Sequence, residues 1–232
     1  MSVLVIIPTY NEIESLEEAV TGVLAHPGYG VLVVDDDSPD GTGALADRLA
    51  ADNPGRVAVM HRRGDRGLGR SYIDGFHFAL ETDARFICQM DADLSHDPKY
   101  LPDMLAMAEQ HDLVLGSRYM NGVSVVNWPL RRLVLSIGAN RYVRIITGLG
   151  VTDCTSGFRC WRREALAQID LAAIKSSGYA FLTELLYSAH RMGMSIAEVP
   201  IIFVERREGR SKLSGGVFAE AVWMPWRLRF RR

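Results

Sequence analysis

Three observations predict an α/β fold with a mostly parallel central sheet and helices on both faces. Short apolar runs, which read as buried strands, alternate with helical stretches across residues 1–116. Strands separated by helices pair in parallel and carry those helices on the sheet faces. Each run also ends in a polar cluster, and open parallel sheets bind ligands beyond the carboxyl ends of their strands.

The elements follow in order. Residues 3–7 read as the first strand, and residues 14–25 as an amphipathic helix with Leu16, Val20, Val23 and Leu24 on one side. Strands at 31–34, 57–61, 86–90 and 113–116 alternate with helices at 41–53, 70–82 and 98–110. The second half is less regular. Residues 130–148 look helical but carry Arg131, Arg132, Arg141 and Arg144, which interrupt any span long enough for a bilayer. Residues 158–162 and 196–204 read as strands, 181–192 as a helix, and 205–216 as a loop containing Gly209, Gly215 and Gly216. One domain over residues 1–216 is expected, with a nucleotide- and metal-binding half (1–116) and an acceptor half (117–216). The tail 217–232 is apolar and ends in arginines. It reads either as an interfacial helix or as a packed terminal helix, broken or kinked at Pro225.

Apolar content is 48% and charged content 23%, ordinary for a globular chain. The net charge of −2 hides an asymmetry. Residues 1–116 carry 8 basic and 20 acidic side chains, whereas residues 117–232 carry 18 and 8. An acidic half suited to a metal is joined to a basic half suited to phosphates or an anionic membrane surface. Cys88, Cys154 and Cys160 form no paired framework, so a reducing compartment is the simpler reading. No basic-then-apolar leader precedes Val3, and no signal peptide is expected.

The polar clusters carry the chemistry. After the fourth strand stand Asp91 and Asp93, one residue apart. On an extended chain such carboxylates point the same way and repel, and a hard divalent cation relieves that repulsion. The same tripeptide also occurs in turns and helix caps. After the first and second strands, Pro8 or Tyr10 can lie against a base, and Glu12 and Asp36 can accept from base N–H or ribose hydroxyls. Ser38, Asp40 and Thr42 suit a turn and a helix cap, so a mainly structural role is expected for them. No Gly-x-Gly-x-x-Gly follows the first strand, which argues against a dinucleotide fold. Arg206 and Lys212 lie in a glycine-containing loop that can close over phosphates.

The ordered motifs resemble one family. They are Pro8-Thr9-Tyr10-Asn11-Glu12, Asp35 through Thr42, Met90-Asp91-Ala92-Asp93-Leu94-Ser95-His96 and Gly116-Ser117-Arg118-Tyr119, then Thr155-Ser156-Gly157-Phe158-Arg159, Glu198-Val199-Pro200-Ile201 and Gly209-Arg210-Ser211-Lys212. Together they resemble the dolichyl- or polyprenyl-phosphate mannosyltransferases, family 2 glycosyltransferases of GT-A fold. The resemblance implies an inverting, metal-dependent transfer of mannose from GDP-mannose to a polyprenyl (dolichyl) phosphate. It implies donor contacts at Pro8, Tyr10, Glu12, Val34, Asp36, Asp91, Ala92, Asp93, Arg118, Arg206 and Lys212. Asp91 and Asp93 would hold Mg²⁺ or Mn²⁺, with Ser95 a third candidate where some relatives place glutamine.

Asp91, Asp93 and Arg118 form the expected catalytic set. A lipid monophosphate is already an oxyanion and needs no strong general base. Arg118, Arg131 and Ser136, or Arg144, are the candidates to hold it, with Arg131 preferred over Arg132. A cytoplasmic protein, peripheral at the cytoplasmic face of a membrane, is expected. A separate membrane-anchoring protein is left open, and no nucleic-acid partner is expected. Two other readings stay open: the same fold using a UDP-sugar such as UDP-glucose, and a non-catalytic nucleotide-sugar-binding module that recruits a partner to membranes.

Overall fold

The computed structural model describes residues 1–176, 178–204 and 215–230. Seven strands form the main sheet: β1 (Val3–Thr9), β2 (Tyr29–Asp35), β3 (Val57–His61), β4 (Phe86–Gln89), β5 (Leu113–Ser117), β7 (Arg159–Arg162) and β8 (Ile196–Pro200). Their order is β3-β2-β1-β4-β7-β5-β8, with β7 alone antiparallel to its neighbours. A separate two-stranded parallel pair joins β6 (Val125–Val126) to β9 (Phe203–Val204). The helices are α1 (Leu16–Leu24), α2 (Thr42–Asp52), α3 (Leu68–Leu80), α4 (Leu101–Ala108), α5 (Leu130–Thr147), α6 (Arg163–Leu166), α7 (Gly178–Arg191) and α8 (Gly215–Phe230).

Strand alternation sorts the core into two layers. Leu4 and Ile6 pack with Tyr72, Phe76, Phe181 and Leu185 on one face of the sheet. Val3, Val5 and Ile7 pack with Leu16, Val20, Leu45 and Met104 on the other. Each such fully buried side chain contributes about 1.5–3 kcal/mol relative to exposure. Helix α3 lies close on β1 because residue 75 is glycine. A Cβ there would stand 2.7 Å from Ile6 Cγ2.

Two expected elements differ. The strand expected over 196–204 is divided between β8 and β9, which belong to different sheets. Pro200 ends the pairing with β5, and Phe203 N–H then donates to Ser124 O. The tail is helical through Pro225, rather than broken there. Met224 and Leu228 of α8 are buried in the main core, while Trp223 and Phe230 are 72% and 71% exposed. The tail is thus packed along one stripe and apolar along another.

Helix α5 has the same character. Only Asn140, Val143 and Thr147 are buried. Leu130 and Ile145 are 74% and 73% exposed, and Val134 and Leu135 also face outward. Tyr142 bridges the two helices, donating from Oη to Val222 O at 2.7 Å and accepting from Trp226 Nε1 at 2.8 Å. Among the described residues no helix is long and apolar enough to cross a membrane.

Candidate active site

The carboxyl ends of β1, β2, β3, β4, β5 and β8 share one edge of the sheet. Antiparallel β7 starts at that same edge, because Arg159 pairs with Gln89. The loop before β7 therefore delivers Asp153, Thr155 and Gly157 to the rim. Residues Asn11, Asp37 and Leu94, in the loops after β1, β2 and β4, have φ of 60°, 57° and 62°. Asn and Asp tolerate this left-handed region through local hydrogen bonds, whereas Leu does not. Such strain is on the order of 1–3 kcal/mol and persists only where the surroundings impose it.

Ser38, Asp40 and Thr42 brace the first two loops. Ser38 Oγ donates to Asp35 Oδ1 at 2.6 Å and accepts from Asn11 N–H at 3.1 Å. Thr42 Oγ1 donates to Asp40 Oδ1 at 2.6 Å and accepts from Glu12 N–H at 3.0 Å. Their structural role is as expected.

The candidates for nucleotide contact stand at the ends of β1 and β2. Tyr10 lies under Arg66, whose guanidinium carbon is 4.8 Å from the ring centroid. Arg66 also donates to Tyr10 Oη at 3.0 Å and to Asp37 Oδ2 at 3.0 Å. Asp36 accepts from Arg62 and, at 2.7 Å, from Gly67 N–H. Pro8 and Glu12 are half-buried at the same rim. Val34 can take part only through its main chain, because its side chain is fully buried in the core beside α3. Ala92 is likewise turned into the core.

Around the paired carboxylates, Asp91 N–H donates to His96 Nδ1 at 3.0 Å and Tyr72 Oη donates to Asp91 Oδ1 at 3.4 Å. Burial, then the charge of Asp91, holds the Tyr72 phenol well above its usual range, so it stays a donor. Ser95 lies against Asp93. It is buried, and its hydroxyl and N–H both donate to Asp93 Oδ1, at 2.5 and 3.1 Å. These two hydrogen bonds orient Asp93.

The site fits a hard cation held by few protein ligands. Among the described residues no cluster of three or more His, Cys, Asp or Glu is suited to a metal, so Asp91 and Asp93 would be joined by water and substrate oxygens. That is the manner in which Mg²⁺ is usually held beside phosphates. Space is kept beside Asp91 by Gly157, where a Cβ would stand 3.7 Å from both carboxylate oxygens.

Arg118 is buried and engaged. Its Nε donates to Asp153 Oδ2 at 2.6 Å, and its Nη2 to Asp153 Oδ1 and Thr155 Oγ1, both at 2.7 Å. Aromatic rings of Tyr119, Trp128 and Phe203 surround its guanidinium at 5.4, 5.6 and 5.5 Å. Glu198 of β8 holds the partner loop by accepting from Thr152 N–H at 2.7 Å and Asp153 N–H at 3.0 Å. On α5, Ser136 hydrogen-bonds Tyr119 Oη at 2.7 Å. Arg131 is exposed, whereas the guanidinium carbon of Arg132 lies 4.2 Å from the Trp128 ring centroid. Arg144 is exposed near the far end of the helix. Arg206 and Lys212 lie outside the described residues.

Arg62 and Arg66 stand in the polar cluster expected after the third strand, but the sequence assigns them no role, and it assigns none to Tyr72, His96, Trp128, Asp153 and Arg159. His96 and Arg159 stand inside quoted motifs, which was the available signal. Arg159 is fully buried, donates from Nε to Ser156 O at 2.8 Å, and leaves both terminal nitrogens without a partner among the described residues. Burial lowers it to about 10. Asp153 carries no local signal, because its partner is 35 residues away.

Comparison with known proteins adds the following. Residues 4–170 match the family described as Glycosyl transferase family 2. The chain is 49% identical to polyprenol monophosphomannose synthase of Mycolicibacterium smegmatis, over 98% of this chain and 88% of that protein. It is 49% identical to undecaprenyl-phosphate mannosyltransferase of Micrococcus luteus, over 96% and 91%. Glucosyl-3-phosphoglycerate synthase from Mycobacterium tuberculosis, in complex with Mn²⁺, UDP-glucose and phosphoglyceric acid, superposes with a TM-score of 0.72 at 19% identity. That match covers 98% of this chain and 79% of the other, and at this identity it speaks to the fold alone.

Proposed function

The chain belongs to glycosyl transferase family 2 and is a glycosyltransferase of GT-A fold, and from that premise we propose that it transfers mannose from GDP-mannose to a polyprenyl phosphate, with inversion, to give polyprenyl-phosphate β-mannose. The observation that carries this reading is the near-full-length 49% identity to two enzymes named for mannosyl transfer to polyprenols. The rim geometry supports it.

Asp91 and Asp93 would hold Mg²⁺ or Mn²⁺, which when bound neutralises charge on the departing diphosphate. Tyr10 and Pro8 bound the base slot, and the Glu12 and Asp36 carboxylates face the ribose and base. Tyr72 and Ser95 keep the two metal-facing carboxylates oriented. No residue need remove a proton, because a lipid monophosphate is ionised near neutral pH. The protein's task is to bring two anions together, and the basic second half serves it. Arg132 and Ser136 at the start of α5 receive the acceptor phosphate, beside the clamped Arg118. Arg206 and Lys212 are assigned to the donor phosphates by family resemblance.

The exposed apolar residues of α5 and α8 are interleaved with Arg131, Arg141, Arg144, Arg227 and Arg229. This combination suits the headgroup region of an anionic membrane, where the acceptor lipid resides. A cytoplasmic-face peripheral location follows from that reading and from a nucleotide-sugar donor.

Purified protein with Mn²⁺, radiolabelled GDP-mannose and a short polyprenyl phosphate should give a mannosyl lipid of β configuration. The Asp91→Ala and Asp93→Ala variants should lose about a hundredfold or more in rate, as loss of charge stabilisation does. No product with GDP-mannose, under conditions where the Mycolicibacterium smegmatis relative is active, would overturn the reading. Product formed from UDP-glucose instead would move the donor to a UDP-sugar.

A further inference from the structure

His96 is buried, 3% exposed, and the mechanism above gives it no chemical step. Its ring is stacked on Phe158 at 5.0 Å with planes 13° apart, and meets the ring of Phe203 edge-on at 5.8 Å and 74°. Phe203 in turn meets Trp128 edge-on at 5.5 Å. On another side, His96 Cε1 lies 3.4 Å from where a Cβ of residue 157 would stand, the distance of an ordinary contact. The ring is thereby fixed in place and in plane.

That fixed ring faces the loop after β4 through Nδ1, which also stands 3.8 Å from Asp91 Oδ2. Nδ1 accepts from Asp91 N–H at 3.0 Å, which places the ring proton on Nε2. The loop needs such a tether. It contains Leu94 at φ 62°, a conformation that a leucine does not hold by local preference. Loop strain of this kind survives only where packing imposes it.

We propose that His96 is a positioning residue for the divalent-cation site: its Nδ1 holds the Asp91 backbone, and the Phe158–Phe203–Trp128 stack holds His96. The stack reaches toward the acceptor side of the site as read above, because the guanidinium carbons of Arg132 and Arg118 lie 4.2 and 5.6 Å from the Trp128 ring centroid. The inference rests on Asp91 being a metal ligand, as read above.

The test is Mn²⁺ binding in the presence of GDP, measured by isothermal titration and by the loss of free-Mn²⁺ paramagnetic resonance signal, beside activity. His96→Phe keeps a ring and removes the acceptor; His96→Asn returns an acceptor close to the Nδ1 position. His96→Phe should weaken Mn²⁺ binding by about tenfold or more, the usual effect of losing a group that orients a ligand. His96→Asn should recover most of that loss. Phe203→Leu, which loosens the ring without touching the loop, should weaken binding in the same direction and serves if His96→Phe does not fold. The KM for polyprenyl phosphate should be unchanged in His96→Phe. If His96→Phe binds Mn²⁺ like the parent, or His96→Asn is as weak as His96→Phe, the proposal is wrong. If the parent protein with GDP binds no Mn²⁺ at all, the metal reading itself fails instead.

Discussion

Arg118 and Asp153 form a buried, two-pronged ion pair, Nε to Oδ2 at 2.6 Å and Nη2 to Oδ1 at 2.7 Å. The pair joins the end of β5 to the loop before β7, two segments that the chain separates by a helix. It also shows that Arg118 reaches the rim already committed to a carboxylate. In the proposed function it would act on anions as a fixed, desolvated charge rather than a mobile clamp.

Removing one partner of such a pair leaves the other charge buried and uncompensated, which destabilises by about 3–5 kcal/mol. Asp153→Asn should therefore lower the thermal midpoint strongly, as read by calorimetry. The acid dependence has a definite sign. Burial opposes ionisation of Asp153, but the hydrogen bonds and charge of Arg118 outweigh it and hold the carboxyl below its ordinary range. A carboxylate depressed in the folded state stabilises above its unfolded pKa of about 3.9, and that stabilisation disappears as pH falls through the folded value. Acid unfolding followed by circular dichroism should lose this component of its pH dependence in Asp153→Asn.

Gly157 predicts a size threshold. A Cβ there makes ordinary contact with Asp91 and His96, at 3.7 and 3.4 Å. Gly157→Ala should keep most Mn²⁺-dependent activity. Gly157→Leu should abolish it by filling the space beside Asp91, while a melting curve shows the fold retained. Equal activity in both variants would remove this space from the metal site.

The two arginines at the start of α5 should separate in kinetics. Arg132 packs on Trp128 and Arg131 is exposed. Arg132→Ala should raise the KM for polyprenyl phosphate more than Arg131→Ala does, with donor KM little changed. The reverse ranking would restore Arg131 as the acceptor contact.

Membrane attachment is best tested with point variants, because truncation of α8 would remove Met224 and Leu228 from the core. Trp223→Ser with Phe230→Ser should reduce sedimentation with anionic vesicles and leave the melting midpoint nearly unchanged. Undiminished sedimentation would exclude the α8 aromatics from the membrane contact.

The strand and helix alternation of the first half is legible because periods of 2 and 3.6 residues are local properties of the chain. The expected strands coincide with β1 to β5 to within a few residues, and each polar cluster stands at a strand end. The division of 196–204 between two sheets was not legible, since apolar residues run on through Ile201 and Phe203. Helix α8 also ran against its local signal at Pro225, because burial of Met224 and Leu228 favours continuing the helix. Motif position also says nothing about which way a side chain turns, and the burial of Val34 and Ser95 was legible only in the structure.

By itself the sequence determined the α/β class, the rim on which the clusters gather and the paired carboxylates Asp91 and Asp93. Only the tertiary structure decided that β7 runs antiparallel between β4 and β5, and this insertion brings Asp153 to Arg118 and Gly157 to Asp91. The reason is physical: local periodicity selects each element, but the partner of a buried charge, and the rings of Phe158 and Phe203 that pack on His96, depend on contacts between residues far apart in the chain.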